Sequence, residues 1–309
     1  MRKNQSTPDI HTEWLNCRFG YFYTVTKRIH ACKTRFQNLE LVDTDEFGRV
    51  LLLDGITQVA QTSEFQYHEP MVHPAMCSHP CPKNVLVIGA GDGGILREVV
   101  KYPCVKSVVL AELDEGVIDF SRKYLPSIHD GAFRDPRLSI EIVDGRKYVE
   151  AHPKTFDVII MDMTDPFGPS KYLYTKDFFT AVKQSFSDSR GVFCMHTESP
   201  IARPKTFSCI QHTLKSVFTN THPFYSYIQM YATLWSITVA SEGTDTYTLK
   251  PAAIDKKLAS YKIRNLQFYN GAIHQAAQAE WPYITDILTK KSRVLTDRHP
   301  DIPDEILHN

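Results

Sequence analysis

This chain of 309 residues lacks several things, and each lack removes a class of function. It has no run near the ~18 consecutive apolar residues of a membrane-spanning helix, so no spanning segment is predicted. The opening M-R-K-N-Q-S-T-P-D has no apolar stretch behind it, and no secretory leader is expected. Charge of either sign is not in excess, since Lys+Arg and Asp+Glu both number 35. A balanced chain carries no electrostatic footprint for nucleic acid, and a cationic ligand must be drawn by a local acidic cluster. There is no C-x-x-C pair, and the seven cysteines (Cys17, Cys32, Cys77, Cys81, Cys104, Cys194 and Cys209) are an odd set. That usage suits reduced thiols and a cytoplasmic protein. His73, Cys77, His79 and Cys81 crowd into H-P-A-M-C-S-H-P-C, but the spacing matches no common zinc site, and no metal is expected. Internal repeats and low-complexity segments are missing too. What is present is 42% hydrophobic residues, enough for a sizeable core.

Residues 14–62 are rich in Tyr, Phe, Val, Thr and Leu and are broken at Phe47-Gly48 and Asp54-Gly55. Strands are predicted at 21–29, 39–43, 50–53 and 57–61, forming a small antiparallel sheet. A helix capped by Ser63 should follow, running to Met76. Pro80-Cys81-Pro82 is a stiff break and sets the expected boundary between an N-terminal β-rich domain, 1–82, and a second domain, 83–309. Beyond it, apolar runs at 85–88, 105–110, 138–143, 158–161 and 192–195 alternate with helical patterns at 95–101, 115–124, 145–151 and 175–186. That order predicts an α/β fold with a parallel sheet covered on both faces. Residues 204–218 read as helical, 224–240 as two more strands, and the tail as helices.

The most telling letter is Asp92, in N-V-L-V-I-G-A-G-D-G-G at 84–94. A strand running into a glycine turn is the usual mouth of a nucleotide-binding sheet, and such turns normally favour anions. An acid there repels a carboxylate or phosphate and favours an ammonium group. Other acids follow the later strands: Glu112 and Asp114, Asp144 before Gly145, then Asp162 and Asp165 in D-M-T-D-P-F-G-P. Crowded like charges cost stability unless a cation neutralises them, so this rim predicts a cationic ligand. Glu112 stands about twenty residues after the turn, where dinucleotide folds hold ribose; its plainer reading is a solvated strand-end acid. Asp144 can bind an adenine amino group, cap a helix, or do both. Asp162 ends an apolar strand, where an unpaired carboxylate is expensive, so a site role is expected. Asp165-Pro166 is also a turn starter, and Asp177 reads as a helix-start charge.

These residues resemble the polyamine aminopropyltransferases of the spermidine synthase type. The resemblance runs from about Gln37 to Glu242 and rests on L-L-L-D-G-I-T-Q at 51–58, E-F-Q-Y-H-E at 64–69, G-A-G-D-G-G-I-L-R-E-V at 89–99 and D-M-T-D-P-F-G-P at 162–169. It implies a Rossmann-like, methyltransferase-type domain behind a small antiparallel β domain, assembled as a homodimer or homotetramer. It implies decarboxylated S-adenosylmethionine as co-substrate, with no permanently bound cofactor and a polyamine as the other substrate. By similarity Asp92 and Asp162 hold the donor's amine, with Gly89 and Gly91 in the turn. Glu112 takes the ribose, Asp144 and Gly145 the adenine, and Gln37 and Gln58 approach from the N-terminal domain. Tyr67, His68, Asp165, Glu198 and Tyr231, with Asp162, line the acceptor site, and Asp162 with Tyr67 carries the chemistry. The plain readings beside these are a half-buried aromatic for Tyr67 and a hydrogen-bonded helix residue for His68.

The implied reaction is a direct displacement by an unprotonated amine. A free amine titrates near ~10 and an aspartate near ~4, so full proton transfer to Asp162 is uphill by roughly 8 kcal/mol. The site must therefore lower the amine's pKa and position it. Met163 stands where many spermidine synthases have Ser or Thr, and Tyr231–Trp235 (Y-A-T-L-W) leans toward the branch using longer acceptors, though Thr233 stands where that branch can have an acid. Putrescine leads as the expected acceptor, with agmatine and spermidine as alternatives. The rival readings are an S-adenosylmethionine methyltransferase and a non-catalytic polyamine- or nucleoside-binding protein.

Overall fold

The computed structural model describes residues 7–304 apart from Phe167. Residues 1–6, which open the segment expected to carry no leader, lie outside the described residues. Among the described residues, three sheets make up the frame. β1 (Asp9–Asn16) and β2 (Phe19–Val25) form a hairpin, and β3 (Lys27–Lys33), β4 (Asn38–Thr44), β5 (Gly48–Leu53) and β6 (Ile56–Ala60) form a four-stranded antiparallel sheet. The third sheet has β7 (Asn84–Gly89), β8 (Ser107–Glu112), β9 (Leu138–Ile142), β10 (Val158–Asp162), β11 (Val192–His196), β12 (Asn220–Ile228) and β13 (Thr233–Ser241). Its order is β12-β13-β11-β10-β7-β8-β9, and β7 to β11 are parallel. This is the predicted α/β, Rossmann-like architecture with an antiparallel β domain ahead of it. No helix among the described residues is long and apolar enough to cross a membrane.

Local chemistry explains the elements. β7 is continuously apolar because both its faces are covered, as parallel strands usually are. The strand expected over 21–29 is really two, β2 and β3, in different sheets. Thr26 between them gives its N–H and its hydroxyl to Asp43 O, both at 2.9 Å. No glycine or proline separates the two strands, so the sequence hides the change of partner.

The helices, in order, are α1 (Phe65–Ser78), α2 (Gly94–Val100), α3 (Glu115–Tyr124), α4 (Pro126–His129), α5 (Gly145–Ala151), α6 (Lys176–Ser185), α7 (Pro204–Lys215), α8 (Pro251–Ser260), α9 (Gly271–Ala276) and α10 (Pro282–Thr289). Asp177 sits in the first turn of α6, whose cap is Thr175. α1 begins after Glu64, not Ser63, and has no side-chain cap. It carries Pro70 and Pro74 inside its length. Pro70 has no N–H for the carbonyl of Gln66, which instead accepts from Ser226 Oγ at 3.4 Å. α1, which the sequence groups with the N-terminal domain, is bedded on the large sheet. Met71, Val72, Ala75 and Met76 share one core with Val85, Val87 and Ile95, and that core also takes in Val42, Val50 and Ala60 of the small sheet. Pro80–Pro82 therefore interrupts the chain without interrupting the packing. On the far side, Val117 and Phe120 of α3 pack on Leu39, Leu41, Leu51 and Val59.

Candidate active site

The carboxyl ends of the large sheet and the inner face of the small one enclose a cleft of about 1010 Å³. Strand order lays out its floor. From one end to the other come Asp144 and Gly145 after β9, Glu112 and Asp114 at β8, Gly89 to Asp92 at β7, and Asp162 to Asp165 at β10. His196 at β11 and Trp235 at β13 follow. Gln37, Gln58 and Glu13 close it from the N-terminal side, and Tyr67 and Tyr231 reach in beside Asp162. All the predicted residues line this space except two, His68 and Glu198.

The glycine turn is forced by close approach. Gly89 has φ +76°, and a Cβ on it would stand 2.0 Å from Asp162 O. The next amide, Ala90 N–H, donates to that same oxygen at 3.0 Å. The ends of β7 and β10 are thereby clamped together, which fixes Asp92 relative to Asp162.

Asp92 accepts from Gly94 N–H at 2.6 Å, and its other oxygen lies 3.5 Å from His68 Nε2. Here the sequence expectation is corrected: His68 does not line the acceptor side but lies buried behind Asp92. A Cβ on Gly94 would lie 2.1 Å from its ring, so the turn is moulded to the imidazole. His68 Nδ1–H donates to Glu64 at 2.6 Å, and Glu64 is held by Arg97 at 2.8 and 2.9 Å. Burial opposes a charge on His68, but Asp92 and Glu64 prevail and push its pKa up to about 10. Burial likewise opposes the charge on Asp92; the imidazolium overcomes it and draws the carboxyl below its usual range. Asp92 is thus an ionised acid with its counter-ion on the dry side.

Asp162 is different. Burial and the nearby Asp92 both raise its pKa. Tyr67 O–H donates to it at 2.6 Å. Burial raises the Tyr67 pKa far above the usual phenol value, so Tyr67 keeps its proton and serves as a donor. Glu112 accepts from Asp114 N–H at 2.9 Å, and burial pushes it up to about 7. Asp144 caps α5, accepting from Arg146 N–H at 2.9 Å, while also facing the cleft. Both of its predicted roles are open to it at once.

Gln37 gives its amide N–H to Asp114 at 3.0 Å, tying the small sheet to the β8 end of the cleft. Gln58 is tied to the other side, since Tyr231 O–H donates to its backbone oxygen at 2.8 Å. Tyr231 also packs edge-on to Tyr67 at 5.9 Å.

Glu198 is the second correction. It is fully buried, outside the cleft lining, at φ +71°, a conformation L-residues rarely adopt. Arg203 Nη1–H donates to both its oxygens, at 3.0 and 3.1 Å, and also to Asp165. Burial, opposed by Arg203, leaves Glu198 raised to about 8. The acid crowd is therefore not bare: His68 compensates it from behind and Arg203 from within.

Sequence reasoning missed Arg203, His196 and Glu13. His196 Nε2–H donates to Met163 O at 2.6 Å, and its ring stacks on Trp235. Glu13 accepts from Thr57 N–H at 2.7 Å and lines the cleft from β1. Along β1 the apolar Ile10 and Trp14 are exposed while His11 and Glu13 are buried, the reverse of what hydrophobic alternation suggests, so nothing local marks Glu13 or Arg203. His73 and Cys77, two of the four metal suspects, meet Tyr102 O–H at 2.8 and 3.6 Å.

Residues 64–251 match the spermine/spermidine synthase domain, and residues 10–61 the spermidine synthase tetramerisation domain. The chain is 37% identical over 289 residues to a polyamine aminopropyltransferase of Nitrosomonas europaea, covering 94% of this chain and 89% of that one. It is 41% identical over 273 residues to one of Thermoanaerobacter pseudethanolicus, covering 88% and 95%. Its fold is similar to a spermidine synthase crystallised with the transition-state analogue AdoDATO, with TM-score 0.85, 33% identity and coverage of 93% and 98%. The spermidine synthase of Thermotoga maritima is similar at TM-score 0.84, 33% identity and coverage of 93% and 97%.

Proposed function

Because the chain belongs to the spermine/spermidine synthase family and is a polyamine aminopropyltransferase, we propose that it moves the propylamine arm of decarboxylated S-adenosylmethionine onto putrescine, yielding spermidine and methylthioadenosine. The observation that carries this reading is the pairing of Asp92 with Asp162 across the clamped ends of β7 and β10. One acid is held ionised by His68 and suits an ammonium that stays charged. The other is raised by burial and suits a proton in transit. The nucleoside fits the β7–β9 half, with Glu112 at the ribose and Asp144 with Gly145 at the adenine. Gly91, Gln37 and Gln58 close over it.

Putrescine then lies across β10 toward β13, its methylenes against Tyr67, Tyr231 and Trp235. Its attacking nitrogen sits at Asp162, oriented because Tyr67 occupies one carboxylate oxygen and leaves the other free. Burial next to the positive sulfonium lowers the amine's pKa while burial raises that of Asp162, so the roughly 8 kcal/mol gap between the free groups narrows from both sides. As the new N–C bond forms, the C–S bond breaks and its electron pair stays on sulfur. The amine proton passes to Asp162. Alignment supplies much of the acceleration.

A methyltransferase donor keeps a carboxylate that ionised Asp92 repels. Calorimetry with both donors tests this: the decarboxylated form should bind at least tenfold more tightly, and tighter binding of the carboxylated form would favour the rival. For the acceptor, methylthioadenosine release is measured with putrescine, cadaverine, agmatine and spermidine side by side. Putrescine should give the highest kcat/KM; a higher value for another amine replaces it. The exposed Ile10, Trp14, Phe19 and Phe22 of the hairpin support assembly as a homo-oligomer through that domain.

A further inference from the structure

The half of the cleft beyond Asp162 contains a fixed cation that the displacement itself does not use. Arg203 precedes α7, is buried, and lines the cleft. Three separate parts of the chain hold its guanidinium. Leu15 O in β1 accepts from Nε–H at 2.7 Å, Glu198 after β11 accepts from Nη1–H at 3.0 and 3.1 Å, and Asp165 after β10 accepts from the same nitrogen. A guanidinium is planar and permanently charged, and a fork fixed at several points does not swing aside. Glu198 holds its end from a left-handed backbone position, which surrounding structure must enforce.

The charges in this half now decide what it can accept. A polyamine bound with one nitrogen at Asp162 must place its other nitrogens, all protonated, toward β11 and β13. The acids on that side are Asp165 and Glu13 in the lining and Glu198 buried behind it. Two of the three are already engaged by Arg203. Glu13 lines the cleft, accepts from Thr57 N–H and lies 3.8 Å from His11 Nε2, and Asp165 keeps part of its surface exposed. One distal ammonium can be compensated. A second would have to stand near a guanidinium with no free acid of its own, and like charges in a partly dry cleft repel.

We propose that Arg203 is a specificity-determining residue that occupies Asp165 and Glu198, admitting two-nitrogen acceptors and turning away triamines. This rests on the diamine reading above and adds the residue that enforces it.

The test is the ratio of kcat/KM for spermidine to that for putrescine, read by methylthioadenosine release in the full chain. Arg203→Met should raise the ratio at least tenfold over wild type. Arg203→Lys keeps the charge and should hold the ratio within threefold, and KM for the donor should not move in either. A ratio within threefold of wild type in Arg203→Met overturns the proposal, as does an equal rise in both variants, which would mean shape and not charge is at work. Should Arg203→Met fail to bind methylthioadenosine or fail to melt cooperatively, Asp165→Asn takes its place. Removing the acid that meets the guanidinium in the lining leaves more of its charge facing the cleft, and the ratio should fall at least threefold; an unchanged or higher ratio overturns the proposal. Wild type preferring spermidine would defeat the diamine reading itself. A putrescine-preferring wild type with an unresponsive ratio would defeat only the role of Arg203.

Discussion

The two halves of the cleft handle their acids in opposite ways. In the β7–β9 half the counter-ion of Asp92 is His68, which lies behind the carboxylate and outside the cleft. The acid remains available, and its partner serves only to keep it ionised. In the β10–β13 half the counter-ion of Asp165 is Arg203, which lies in the lining itself. The acid is partly used up, and its partner becomes something a ligand must meet. An ion pair arranged across a wall therefore prepares a binding charge, whereas one arranged along the wall withdraws it. Asp162 sits where the halves meet, and burial together with Asp92 raises its pKa while the imidazolium of His68 draws that of Asp92 down.

The comparison breaks first at Asp162. Asp162→Asn removes the proton acceptor and should lower kcat by about 10²–10⁴-fold, the usual range for a general base. Binding of decarboxylated S-adenosylmethionine, measured by calorimetry, should change little; near-normal turnover would remove Asp162 from its role.

His68→Gln attacks the wall-side arrangement. Without the imidazolium, Asp92 loses its main stabilising charge. KM for the donor should rise about tenfold, in line with loss of a charge-assisted hydrogen-bonded partner, while KM for putrescine stays close to wild type. Equal effects on both substrates would refute the division of labour. The linkage has a definite sign. A histidine whose folded pKa is about 10 stabilises the protein fully below its unfolded value near 6.5, and that contribution is lost as pH rises through about 10. Chemical denaturation should show wild type losing stability between pH 7 and 10 more steeply than His68→Gln.

The smallest effect concerns Glu112. Its folded pKa is raised to about 7, so its protonated form is favoured and stability is lost as pH rises through about 7. Glu112→Gln should flatten that decline, gaining about 1–3 kcal/mol relative to wild type at pH 8 in urea unfolding, while weakening nucleoside binding. A parallel pair of stability curves would show that burial of this carboxylate costs nothing.

How far each half could be read in the sequence follows from how it is built. The β7–β9 half is made of local devices: a strand running into Gly89, a carboxylate a few residues on, and a capping acid at the start of α5. Asp92 and Asp144 leave their signatures within a short window and Glu112 stands at a set distance from the turn, so all three could be named as cleft candidates in the sequence. The other half is assembled from β1, α1, the loops after β10 and β11, and the start of β13. Arg203, Glu13 and His196 carry no short-range mark, because what matters about them is which distant groups they touch. His68 fell on a motif position and Glu198 was a further acceptor candidate outside the motifs, yet both turned inward, since adjacent residues on a helix or in a tight turn face different ways and the sequence does not record which.

The order of strands and helices, the glycine turn and the run of acids at successive strand ends were determined by the sequence itself, because hydrophobic period and turn chemistry are properties of neighbouring residues. Only the tertiary structure decided which of those acids stay open, which are paired, and by what. That depends on electrostatics between groups as far apart along the chain as Leu15, Asp165 and Arg203, and such distances close only when the core forms.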